Sequence, residues 1–115
     1  MEHTLLIHGD ERVRNGLSEA EQAELDAAHA RFGRALHEAG VTVRYGAGLR
    51  RSCSARLVVP GGGSEAPVSD GPYREGHEHL GGLWVIDVAD EAEAVSWARW
   101  MPAAPGDLVK SGRYG

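Results

Sequence analysis

The chain has 115 residues, enough for one domain with a single modest core. Twelve basic residues, scattered along the chain, stand against 17 acidic ones, and the net charge of −5 leaves no footprint for nucleic acid. Cys53 is the only cysteine, which excludes an internal disulfide and a thiolate metal cluster within one chain.

The start, MEHTLLIHGDE, has an acidic second residue and only a short apolar run. It reads as neither a signal peptide nor a membrane span, so a cytoplasmic protein with no membrane partner is expected. Leu5, Leu6 and Ile7 predict a first strand over residues 3–8, bounded by Gly9 and Asp10. Ser18 and Glu21 form a capping box at the start of a helix, which runs to about Ala39 and stops at Gly40. On it Leu25, Phe32 and Leu36 share one face, flanked by Ala28 and Ala39. A second strand is predicted over residues 41–49, bent near Gly46 and Gly48, and a third over 54–59. Residues 60–67, rich in Gly and Pro, predict a flexible hairpin-like connection, with Val68 and Ser69 as a brief return strand. Asp70, Gly71 and Pro72 read as a turn, and Gly81 and Gly82 bend the chain into an apolar strand over 83–88. Asp90 with Glu93 caps a second helix that Pro102 ends. Leu108, Val109 and Lys110 either make a shortened closing strand or the chain lacks one. The order β-α-β-β-(β)-α-β is a ferredoxin-like α+β arrangement.

Two of these strands do not alternate. Leu5, Leu6 and Ile7, like Leu83, Trp84, Val85 and Ile86, put apolar groups on both faces of a sheet. Two helices cover only one face, so the other is expected to be hidden by a second copy, sheet against sheet, giving a homodimer.

The run DGPYREGHEHLGGLWVIDV, residues 70–88, resembles the DGPF branch of the YCII-related domain family. There the pattern reads D-G-P-F, a polar stretch, L-G-G, and an apolar strand ending in D-V. Tyr73 stands where Phe is usual, and His77 and His79 stand where Lys and Gln are usual. The resemblance extends from LLIHGDE to the helix before Pro102 and departs at the tail, where members end on a V-E-V-R-P strand. It implies a ferredoxin-like fold and pairing of the dimeric α+β barrel type. It also implies a role for a histidine in the first helix, proposed in some members to pair with an aspartate.

His29 fits that place. It lies about 40° from Leu25, on the apolar side of the helix, and so points toward the sheet. Such a histidine serves either as a packed structural residue or as a general acid or base. The aspartate has no counterpart among Leu49, Arg50, Arg51 and Ser52. Asp70 is the first remaining candidate, although aspartate before Gly-Pro is also a turn former, and Asp10 is the next. Tyr73 can bring a hydroxyl to the same pocket, with His8 and Asp10 as further contacts.

Two functions stay open. One is a cofactor-free lyase or isomerase acting on a small organic molecule, with His29 and Asp70 as its catalytic pair. The other is a non-catalytic dimer that binds a small ligand or regulates a partner. His77 and His79 have metal-like H-x-H spacing, but two ligands make no site, and a solvated loop with no metal is expected. Gly61, Gly62 and Gly63 lack the Gly-Lys-Ser/Thr of a phosphate loop. Cys53 reads as a bystander and Trp100 as a residue at a subunit boundary.

Overall fold

A computed structural model describes residues 1–49, 51–70 and 78–113. Tyr73 and His77, two of the residues singled out above, lie outside them. The elements are β1 (Glu2–Asp10), α1 (Glu11–Asn15), α2 (Glu19–Glu38), β2 (Thr42–Gly48), β3 (Arg56–Val58), β4 (Val68–Asp70), β5 (Glu78–Asp87), α3 (Glu91–Arg99) and β6 (Leu108–Arg113). The fold is α+β and ferredoxin-like. A four-stranded antiparallel sheet of order β2-β5-β1-β6 carries α2 and α3 on one face, and the sheet is open rather than a closed barrel. No helix among the described residues is long and apolar enough to cross a membrane.

Strict alternation along β1 decides what faces the helices: His3, Leu5, Ile7 and Gly9 are buried, and the residues between them are half-buried. Leu5, Ile7 and Ile86 meet Phe32 and Leu36 of α2 and Ala94 of α3 in one core. Phe32 sets its edge against both Trp84 and Trp97, at 5.2 and 6.0 Å between ring centroids. The capping box at Ser18 forms as the sequence implies. At α3 the Glu93 carboxylate reaches the Ala89 N–H, one residue before the capping Asp90.

The closing strand is present. β6 pairs with β1 from His8–Leu108 to His3–Arg113, helped by the Thr4 hydroxyl donating to the Gly112 carbonyl at 3.0 Å. The predicted third strand is shorter and lies outside the main sheet: β3 pairs with β4 alone, across the Gly/Pro connection. β5 begins at Glu78, five residues before the predicted start, so Gly81 and Gly82 lie inside it and His79 is in a strand, not a loop. The β1–β5 register slips where Ile7 faces Gly82 and His8 faces Leu80, leaving Gly81 as the extra residue. A Cβ at Gly81 would press on the Arg14 guanidinium, so the bulge sits where α1 lays its arginine. Sequence reading passed over α1, although Asp10 accepts the Arg12 N–H as its N-cap.

Candidate active-site cavity

The N-terminal half of α2, α1, and the ends of β1, β2 and β5 enclose a cavity of about 710 Å³. Gln22, Leu25, Asp26 and His29 line it from α2, spaced i, i+3, i+4 and i+7, which is one stripe of a helix. Ile7, Val43, Leu49 and Trp84 make much of its apolar wall.

Trp84 fixes His29. The two rings stack, 12° from parallel with centroids 6.2 Å apart. The indole fits because Gly33 on α2 and Gly46 on β2 leave its flanks open; a Cβ at either would come within 3.3 Å of it. His29, Phe32 and Gly33 thus occupy i, i+3 and i+4 over one tryptophan. His29 is half-buried, and its pKa is lowered. Burial is the main cause and the Arg14 charge the next, against smaller upward pulls from Asp26 and Asp107. A half-buried imidazole biased toward its neutral form is a proton acceptor.

The wall carries Arg14, ion-paired to Asp107 behind it, and the Glu11 carboxylate. Arg14 Nη2 donates to Asp107 Oδ2 at 2.6 Å, and that oxygen also accepts the Ala104 N–H at 2.9 Å. The Asp107 carboxylate is 1 % exposed, and its Oδ1 lies where a Cβ on Gly9 would have to be. Glu11 accepts from Ser52 Oγ at 2.9 Å and from the Ser52 N–H, and its Oε2 lies 3.9 Å from His79 Nε2. Arg14, Glu11, His79 and Arg51 line the cavity together with His29.

The other sequence candidates are dispersed. Asp70 lies on β4, with its side chain 82 % exposed and 3.3 Å from Arg56 Nη1, and is not on the cavity wall. Asp10 caps α1 and pairs with Arg12 at 2.8 Å. His8 stands on β1 between Leu80 and Leu108, in register with the sheet face away from the buried side chains. Among the described residues no three His, Cys, Asp or Glu side chains come together as a metal site. Sequence reading missed Arg14 and Asp107, which are 93 residues apart and linked only by the fold. Asp10 as cap and Gly16 as stop were the local signs of α1.

The family model of the YCII-related domain matches residues 1–113 of the chain. No curated protein matches it.

Proposed function

The chain belongs to the YCII-related domain family, and from that premise we propose that it is a cofactor-free lyase or isomerase acting on a small organic molecule. The observation that carries this reading is His29, kept neutral in a cavity of ligand size and clamped by Trp84. His29 would take a proton from a carbon next to a carbonyl. The C–H electron pair moves into the carbonyl as an enolate. The enolate then either takes the proton back from the His29 imidazolium at the far end of a conjugated double bond, which moves that bond, or expels a leaving group from the β carbon, which forms a C=C bond and leaves the proton on His29. In this reading His29 acts as a lone base, since the carboxylates that bear on it are Asp26 and Asp107. We place the chain in the DGPF branch on its 70–88 motif, and in the cytoplasm, a reducing compartment that suits the exposed free Cys53.

The test is the titration of His29, followed by its imidazole proton shifts. Its midpoint is expected below the ordinary value near 6.5. The neutral form then dominates at pH 7, and turnover by the free base rises with pH through that midpoint to a plateau. The same shift makes the unfolded chain the stronger proton binder, so His29's contribution to stability is complete above about pH 6.5 and falls away below it. A midpoint at or above 6.5 would remove the reading.

One observation favours the ligand-binding alternative: among the described residues no carboxylate hydrogen-bonds His29. A His29→Gln variant separates the two, because it should abolish turnover yet leave binding of a non-reacting analogue within a few-fold.

We also propose that a second copy covers the open sheet face. Leu108 is 69 % exposed and Tyr45 60 % exposed, and Leu6, Leu83 and Val85 are only half-buried between them. His8, in register with Leu80 and Leu108, and Lys110, in register with Leu6, border this apolar patch, and like patches cover one another about a two-fold axis. Sedimentation equilibrium at micromolar concentration is expected to give a dimer, and Leu83→Lys a monomer. A native chain that sediments as a monomer would sink this assembly.

A further inference from the structure

We propose that the cavity takes a small organic carboxylate, an apolar body with one anionic end, and that Arg14 holds that end beside His29. The inference rests on the proton-transfer reading above and names its substrate class. Arg14 is laid flat on the β5 backbone: a Cβ on Gly81 would lie 2.9 Å from its Cζ, and one on Gly9 would lie 3.5 Å from its Nε. A quarter of the side chain remains exposed, and it lines the cavity. Its hold on Asp107 runs through Nη2, and Nε has no acceptor among the described residues. A guanidinium is a planar fork of five N–H donors whose geometry matches a carboxylate. Nε is shut in against Gly9 and Gly81, so the quarter of the side chain that stays exposed is what a ligand can reach.

The acids on the same wall are already engaged. Glu11 takes three hydrogen bonds from Ser52 and faces His79, and Asp26 accepts from Gln22 at 3.0 Å. Arg51 adds a second cation to the wall, without an ion pair among the described residues. At His29 the Arg14 charge outweighs that of either Asp26 or Asp107. The same cation would steady the negative charge that grows on a substrate as its proton leaves. The body of the ligand meets Leu25, Val43 and Leu49, with the flat His29–Trp84 stack beside it.

Benzoate and its neutral isostere benzamide, titrated into the full chain, test the assignment. Tryptophan fluorescence and the His29 imidazole shifts report binding. Benzoate is expected to bind at least tenfold more tightly than benzamide, to move the His29 resonances, and to weaken as salt is added. The R14Q/D107N double variant removes both charges together and leaves neither buried alone, and it should lose the tenfold preference. Equal affinities, a benzoate that fails to bind, or a preference that survives in a folded double variant would overturn the proposal. If circular dichroism shows the double variant unfolded, the comparison on the native chain decides by itself. The two readings fail separately. A low His29 midpoint with no benzoate preference ends only the carboxylate assignment, and a high midpoint ends the proton-transfer reading whatever benzoate does.

Discussion

Gly9→Ala is expected to destabilise the fold by about 3 kcal/mol, measured by urea unfolding. Gly9 is buried on β1 opposite His79, and its backbone is not in the left-handed region, so conformational freedom is not what alanine would lose. The loss is steric. The new methyl group would overlap Asp107 Oδ1, and the carboxylate has nowhere near to go, being 1 % exposed and tied to both Arg14 and the Ala104 N–H. Overpacking alone costs roughly 1–3 kcal/mol. Pushing the carboxylate off its arginine adds part of the ~3–5 kcal/mol attached to a buried charge without its partner. Gly112→Ala is the control, because a Cβ there meets nothing within 4 Å, and its effect should stay within about 0.5 kcal/mol. Equal effects for the two variants would mean that Asp107 does not need the space at Gly9.

Asp107→Asn is expected to cost about 3 kcal/mol, and adding Arg14→Gln should return a large part of it. The single change leaves the guanidinium three-quarters buried against a neutral amide. The double change removes the charge that needed a counter-ion. A thermodynamic cycle over the native chain, the two single variants and the double variant should therefore give a coupling of about 2 kcal/mol. Strictly additive effects would show that the 2.6 Å contact contributes no more than surface ion pairs do. The cycle bears on the site as well, since Arg14 lines the cavity and its charge and that of Asp107 both act on His29.

Local chemistry made much of the architecture readable. The capping box at Ser18, the cap at Asp90 and the stop at Gly40, which adopts φ +77°, place the two long helices without reference to the rest of the molecule. Helical phase alone turned His29 toward the sheet. The unalternating runs Leu5-Leu6-Ile7 and Leu83-Trp84-Val85-Ile86 announced strands apolar on both faces. All of these signals act over four residues or fewer, the range in which a sequence is its own environment.

The rest depended on contacts between distant segments. Whether Leu108, Val109 and Lys110 form a strand was settled by β1, which offers them an edge. Gly81 and Gly82 look like a turn in isolation and become strand because β1 and β2 flank them, with the bulge set by an arginine from α1. His29 was visible, but its surroundings were not. Asp70, the nearest candidate by motif, went with the β3–β4 hairpin to Arg56, while Asp107, just before the closing strand, came within hydrogen-bond reach of Arg14 on the cavity wall. A cavity is a relation between segments far apart in sequence. Its residue types can be read from the chain, but its neighbours, its dielectric and its pKa values exist only once the sheet has brought the segments together.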